Sequence, residues 1–351
     1  MKQTTPVTPT WRTVKWTSMV LLMIVLFVLS LFIGSANIPA ADVLAILRGA
    51  EPQSASWHFI VMESRLPAAL TAMLCGAALA VSGLLLQTAF RNPLAGPGIF
   101  GITNGASLGV AIVMLLGVGS LSTISTPLSA LFSSLSTVAA AFVGAMVVTL
   151  LLLLLSRWVK SPVMLIIAGI MVGYLSSSAI ALLNYVATEE GVRSYMMWGL
   201  GNFGGVSLQT MPFYAFVTLL PLLAALLLIK PLNALLLGQN YAESLGISTR
   251  RLRHHLLLLT GLLCAVATAF CGPIAFIGLA VPHMARLLLH TADHRQLLPA
   301  TMLMGCVVAL SCHVLSVMLS PHGGVVPINV LTPLFGAPVI IYIVRRGGTP
   351  G

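Results

Sequence analysis

The sequence predicts an all-α membrane protein that crosses the bilayer ten times, and three observations carry that expectation. Of its 351 residues, 58% are hydrophobic and only 7% are charged, whereas about 25% of residues are charged in soluble domains. The apolar residues gather into ten runs, each close to the roughly 20 residues a helix needs to cross hydrocarbon. The basic residues sort to one set of alternate connections between those runs.

In lipid only helices and closed barrels satisfy their own backbone groups, and long unbroken apolar runs read as helices. The first run, 16–33, follows Lys2, Arg12 and Lys15. It exceeds the apolar core of about 7–15 residues in a cleavable signal, so it reads as a retained span, although the "SANIPAAD" after it faintly resembles a cleavage site. Runs 67–90 and 102–118 flank "RNPLAGPGIFG", Arg91 to Gly101, and small residues within them, such as "CGAALAVSG", would let helix backbones approach closely. Runs 134–156, 163–186 and 208–229 follow, and 254–271 and 274–290 meet at "CGPIAFIG", Cys271 to Gly278. Runs 298–319 and 329–344 complete the set. The two Gly/Pro-rich junctions read as broken or re-entrant segments, which are tolerated at membrane depth only against protein or a watery cavity.

With both termini in the cytoplasm, the outer connections hold only Arg48, Arg65 and Arg193 among all lysines and arginines. This distribution follows the positive-inside rule. The expected organisation is a cytoplasmic tail at 1–15, one polytopic domain at 16–346 with a cytoplasmic loop at 232–253, and a tail at 347–351. The net charge of +10 comes from basic residues scattered singly between apolar runs, which excludes a nucleic-acid tract. Cys75, Cys264, Cys271, Cys306 and Cys312 lie inside apolar runs without metal or redox spacing and read as small core residues.

No acid, lysine or arginine sits in the middle of a run, which disfavours an ion-coupled carrier, where such groups are retained for function. His283 and His313 read as hydrogen-bonded packing residues rather than ligands or relays. The 16 methionines and 8 histidines show no ligand spacing, so no metal site is expected. The chain has no GxxxxGK[ST] nucleotide loop and no catalytic constellation, so ATP hydrolysis would require another chain. The stretch "LNALLLGQNYAESLGISTRRLR", Leu232 to Arg253, interrupts the apolar pattern. Leu235, Leu236, Ala242 and Leu245 can share an apolar face, with the helix broken at Gly238 and Gly246 and the next span anchored by Arg250, Arg251 and Arg253. Two short helices of this kind suit a docking surface or an ordinary interfacial loop.

Several long motifs, in order, resemble the iron-siderophore, haem and vitamin B12 permease family of bacterial ABC importers. They are "RLPAALTAMLCGAALAVSGLLLQTAFRNPLAGPGIFGITNGASLGV" from Arg65, the 232–253 stretch, "GPIAFIGLAVPHMARLLL" from Gly272, "DHRQLLPA" from Asp293 and "FGAP" from Phe335. The resemblance implies a type II ABC importer permease fold in the bacterial cytoplasmic membrane. It implies partnership with a second permease subunit, identical or related, two ATP-binding cassette ATPases and an extracytoplasmic substrate-binding protein. ATP and Mg would belong to the ATPases, and this chain would bind no cofactor. By the same resemblance, Leu236, Gly238, Ala242, Glu243, Leu245, Gly246 and Ile247 form ATPase-coupling helices, and Arg65 docks the binding protein. Ser161, Pro162 and Val163 would lie at a cytoplasmic gate, and Gly169, Gly173, Ser177 and Asn184 beside the translocation path.

The chain departs from the family pattern at Ala68, where a second arginine is common, and at Gln239, where an acid is common. Near His313 and Val317 it lacks a family acid and arginine. The serines 176–178 could equally bond back to their own helix. The cargo implied is a ferric siderophore, haem or cobalamin, with an oxyanion such as molybdate as the rival and a secondary carrier as the rival from another class.

Overall fold

The computed structural model describes residues 9–50, 54–116, 127–159, 161–319 and 325–345. Lys2, Glu51, Lys160, Arg346 and the expected tail 347–351 lie outside the described residues. Helix α1 spans Pro9–Phe32, and α2 (Ala40–Leu47) and α3 (Ala55–Phe59) follow it. α3 runs through one π-helical turn, Ile60–Arg65, into α4 (Leu66–Phe90), and α5 (Ile102–Leu115), α6 (Pro127–Trp158) and α7 (Pro162–Val186) come next. The short α8 (Glu189–Gly199) precedes α9 (Met211–Leu227), α10 (Ile229–Leu236) and α11 (Gln239–Ser244). The chain ends with α12 (Thr249–Cys271), α13 (Ile277–Leu289), α14 (His294–Met318) and α15 (Ile328–Arg345).

Six helices are long and apolar enough to cross a membrane, and α9 with α10 makes a seventh if that pair, bent by 52°, counts as one span. The apolar helices α5, α13 and α15 are shorter. At 1.5 Å per residue, α5 and α13 reach only about 20 Å, short of a hydrocarbon core of about 30 Å. The helices expected over 102–118 and 274–290 are therefore shorter than full spans: α5 begins at Ile102 as expected and α13 three residues later than expected, each after an irregular segment. The bend after α9 falls where Leu228 leaves helical geometry ahead of Lys230 and Pro231.

α4 is the axis around which the bundle packs. Of its most apolar window, 83% is buried, against 17% in α1, so α4 faces protein and α1 presents Leu21, Ile24, Val25 and Val28 to lipid. Nearly every residue of α4 from Cys75 to Phe90 is buried, against α14, α12 and α13. The small residues make this possible. A Cβ on Gly76 would collide with the Gly305 carbonyl of α14, and one on Gly305 with that of Gly76, so the two backbones touch as small-residue pairing allows.

Contacts divide the bundle into two ends. At one, Lys15 Nζ donates to Leu288 O at 2.6 Å, adding a cation to the carbonyl end of α13. Arg250 donates to Arg157 O at 3.2 Å, and Arg253 lies over the Phe90 ring at 6.0 Å. The starts of α1, α12 and α14 and the ends of α4, α6 and α13 thus meet in one basic layer. Arg48, just past α2, Arg65, before α4, and Arg193, on α8, are at the opposite end. The charge asymmetry read from the sequence is therefore a property of the folded bundle.

Replacing Gly76 by Val should force α4 and α14 apart. Overpacking of this kind costs about 1–3 kcal/mol, so the detergent-solubilised variant should lose monodispersity at a lower temperature in thermal size-exclusion. An unchanged melting point would contradict the backbone contact.

Candidate functional site

Two irregular segments enter the bundle at mid-depth. Gly278, at the start of α13, packs against Leu79 halfway along α4, and Gly101 packs against Gly169 and Gly173 near the middle of α7. Residues 91–101 therefore rise from the basic end to mid-bundle before α5 begins, and residues 272–276 descend from the other end before α13 begins. Between them lies a cavity of about 360 Å³ bounded by Leu79, Ile99, Thr103, Asn104, Ala275 and Phe276. Its lining carries backbone, hydroxyl and amide groups but no ionisable side chain. Such a surface can pass or hold a solute; it has no group for acid–base or nucleophilic work.

Asn329, in the first turn of α15, holds the descending segment in place. Its Oδ1 accepts from Ala275 N at 3.1 Å, and its Nδ2 donates to Pro273 O at 2.5 Å and Gly199 O at 2.9 Å. Its own backbone N–H donates to Leu200 O at 3.2 Å. One side chain thus ties α8, the 272–276 segment and α15 together. Phe276 is held at φ 67°, a left-handed conformation uncommon for an aromatic residue. Its ring packs where Gly336 of α15 leaves room.

At the basic end, α10 and α11 form the interruption expected at 232–253. Gly238 (φ 119°) separates the two helices. α11 closes with a Schellman arrangement: Gly246 N donates to Glu243 O at 2.9 Å and Ile247 N to Ala242 O at 3.0 Å, with Gly246 at φ 80°. Glu243 accepts from the Thr249 hydroxyl at 2.6 Å, bracing α11 against α12. Ala242 is buried, whereas Leu236, Leu237, Tyr241 and Leu245 are exposed, so the loop presents an apolar patch to the medium beyond the basic layer.

This loop is also tied inward. Asn233 Nδ2 donates to Asp293 Oδ1 at 2.6 Å, and Asn233 Oδ1 accepts from His294 N at 2.8 Å. His294 Nε2 lies 2.9 Å from Thr88 Oγ of α4. The Asp293 carboxyl is held below the usual carboxylate range, chiefly by the Arg295 backbone N–H with the Asn233 amide adding to it, against the opposing effect of burial. A lowered carboxylate contributes stability that is present at neutral pH and lost as pH falls through the lowered value.

Arg65 is engaged within its own chain at the end opposite the basic layer. Its side chain is only 6% exposed. Nη1 donates to Leu31 O and Phe32 O at 2.9 Å each, and Nη2 to Ala36 O at 2.5 Å. It is therefore an internal cap on the carbonyl end of α1, where the last turn leaves carbonyls without helical partners. In this structure the guanidinium is occupied by these three carbonyls.

The α7 residues divide. Ser161 and Val163 are exposed at its start, with Pro162 in the first turn. Gly169 and Gly173 are buried contacts with Phe100 and Gly101 rather than open lining. The Ser177 hydroxyl donates to Gly173 O at 3.0 Å and Ser176 to Val172 O at 2.9 Å, the back-bonding pattern. Asn184 likewise bonds Ile180 O at 3.0 Å. The exposed face of α7 carries Met171, Tyr174, Leu175 and Leu182, each more than half exposed. His283 Nε2 donates to Pro93 O at 2.7 Å, and His313 meets the edge of Phe203 at 6.1 Å. Among the described residues no cluster of three or more His, Cys, Asp or Glu could hold a metal ion. Asn329, Asn233 and His294 were not singled out from the sequence; a polar residue inside an otherwise apolar helix was the available signal for the asparagines.

A helical membrane protein with a mid-depth cavity, two broken segments and an exposed apolar loop at its basic end has the build of a transport permease. The chain belongs to the FecCD transport family, which matches residues 22–346. Its relatives include the hemin transport system permease protein HmuU of Yersinia pestis, 35% identical over 316 residues, covering 89% of this chain and 91% of the relative. Another is the vitamin B12 import system permease protein BtuC of Klebsiella pneumoniae, 37% identical over 294 residues and 84% of each chain. A metal-chelate-type ABC transporter in an inward-facing conformation superposes with a TM-score of 0.80 at 31% identity, covering 95% of this chain and 99% of that one. PsaBC of Streptococcus pneumoniae, at 19% identity and a TM-score of 0.53, shares the fold.

If Arg65 caps α1, Arg65→Ala leaves three carbonyls without donors and should destabilise by about 3 kcal/mol or more. Arg65→Lys should recover only part, because an ammonium cannot reproduce the planar fork. Full recovery by lysine would mean that the charge alone matters.

Proposed function

We propose that this chain is the permease subunit of an ATP-driven importer that moves a metal chelate or corrinoid inward. Haem, a ferric siderophore and cobalamin are the cargo classes favoured, in keeping with what the named relatives carry. In this reading the polypeptide makes ten crossings of the bacterial inner membrane, with α5 and α13 completed by their irregular segments and both termini in the cytoplasm. The abundance of arginine at one end supports that orientation.

The permease pairs with a second copy or a related subunit, and the exposed face of α7 suits the wall of a shared path. Ser161, Pro162 and Val163 lie where that face begins, which fits a gate at the cytoplasmic end. Two ATP-binding cassette ATPases supply hydrolysis, with ATP and Mg bound on them, and an extracytoplasmic binding protein delivers cargo. The observation that carries the reading is the α10–α11 loop. It exposes Leu236, Leu237, Tyr241 and Leu245 while Asn233 fastens it to α14.

A partner that closed on this patch would pull on α14 and α4 together. Packed interfaces have discrete arrangements and convert such a pull into alternating access. The cavity between the broken segments is where the path would open and close.

The test is uptake into proteoliposomes holding this chain with its ATPase and binding protein, with haem, ferric siderophores, cobalamin and molybdate offered in parallel. Uptake of one chelate that requires ATP and both partners is expected; uptake without the ATPase would point to a secondary carrier. Gly246→Val, which places a β-branched residue at φ 80° and disrupts the α11 cap, should leave expression near normal while uptake falls at least about tenfold, corresponding to about 1.4 kcal/mol of lost coupling. Normal uptake at normal expression would remove the loop from the coupling role.

A further inference from the structure

A second cavity, of about 460 Å³, opens at the basic end between the last turn of α4, α10, α13 and the end of α15. One side of it is cationic. Arg286 enters from α13 and Arg91 from the left-handed turn that ends α4. The other side is apolar, made by Leu235, Leu236, Leu287 and Ile343. No carboxylate lies among the lining residues.

The partners of Arg286 are neutral. Its Nη1 donates to Gln87 Oε1 at 2.8 Å, and Gln87 is itself held by its Nε2 donating to Leu279 O at 3.1 Å. The second neighbour is His283 Nδ1 at 3.4 Å. Because His283 Nε2 sits 2.7 Å from the Pro93 carbonyl, which can only accept, Nε2 carries the proton and Nδ1 is left with a lone pair toward the arginine. Among the described residues, Arg286 Nε and Nη2 and the whole Arg91 guanidinium have no partner. A partly buried guanidinium with only neutral neighbours is unfavourable unless a counter-charge completes the site.

From this geometry we infer that the cavity binds the phosphate of an anionic phospholipid, clasped between Arg91 and Arg286, with an acyl chain along Leu235, Leu236, Leu287 and Ile343. Guanidinium groups match phosphate oxygens bidentately. The cavity lies in the basic layer, where lipid headgroups of the adjoining leaflet also lie, and anionic lipids are drawn to such layers. A free phosphate would satisfy the arginines but leave the apolar wall uncovered; a lipid covers both. Leu235 and Leu236 belong to α10, so an occupied site would pack against the loop that faces the medium. The inference rests on the cavity alone and stands or falls independently of the cargo.

The test uses the full chain in mild detergent and native mass spectrometry with equimolar phosphatidylglycerol and phosphatidylcholine of matched acyl chains. One phosphatidylglycerol should be retained in preference to phosphatidylcholine. Arg91→Gln, at a side chain without a bond among the described residues, should lower that retention about tenfold, as expected for one charge-assisted contact. Arg295→Gln, an exposed arginine of the same layer outside the cavity, should leave it unchanged.

Equal retention of the two lipids, or equal loss in both variants, would overturn the site as a reader of charge. Displacement of phosphatidylglycerol by millimolar inorganic phosphate would overturn the lipid source in favour of a soluble anion. Absence of any retained lipid would leave a partner protein's carboxylate as the missing counter-charge.

Discussion

In hydrocarbon an unpartnered backbone N–H or C=O costs several kcal/mol, and the architecture of this chain follows from where those groups find partners. Long helices satisfy the requirement internally. Each departure from helix is met by a particular side chain or turn: Arg65 at the end of α1, Lys15 at the end of α13, Asn329 on the 272–276 segment and the Schellman turn at Gly246. The breaks are consequently fixed features rather than loose ones. They also define the cavity, because a segment that leaves helical geometry at mid-depth opens space that a continuous helix would fill.

Some of the polar side chains inside the bundle form a series between its basic end and that cavity. Asn233 of α10 engages Asp293 and His294, and His294 meets Thr88 of α4. The neighbouring Gln87 bonds Leu279 O and receives Arg286. Leu279 is two residues into α13 and lines the cavity. A displacement of α10 would therefore reach the cavity wall through direct hydrogen bonds and the α4 backbone, without passing through lipid-facing residues. Transmission of this kind requires two discrete arrangements of the packed helices, and the glycine contact between α4 and α14 leaves little room for intermediate ones.

Much of this was legible in the sequence, for identifiable reasons. Apolar run length located the long helices, because hydrocarbon thickness sets it. Glycine and proline marked both broken segments and both turns of the 232–253 loop, because only a few residues suit those backbone angles. What was not legible depends on partners remote in the chain. Arg65 stands just before the run 67–90, yet its carbonyl partners are about thirty residues earlier. The close contacts of Gly169 and Gly173 with Phe100 and Gly101 are likewise between segments about seventy residues apart. The start of α13 at Ile277, three residues after the expected 274, was equally hidden, since an apolar irregular segment has the same composition as an apolar helix.

The central claim is that the two broken segments meet at a water-accessible cavity inside an otherwise dry bundle, and amide hydrogen exchange of the chain in lipid nanodiscs tests it most directly. Amides of 96–101 and 272–276 that have no helical acceptor should exchange orders of magnitude faster than those of α4 between Cys75 and Gly83, which lie at the same depth. Protection of the two segments equal to that of α4 would contradict the account, because it would mean that no water reaches the place where the passage is drawn.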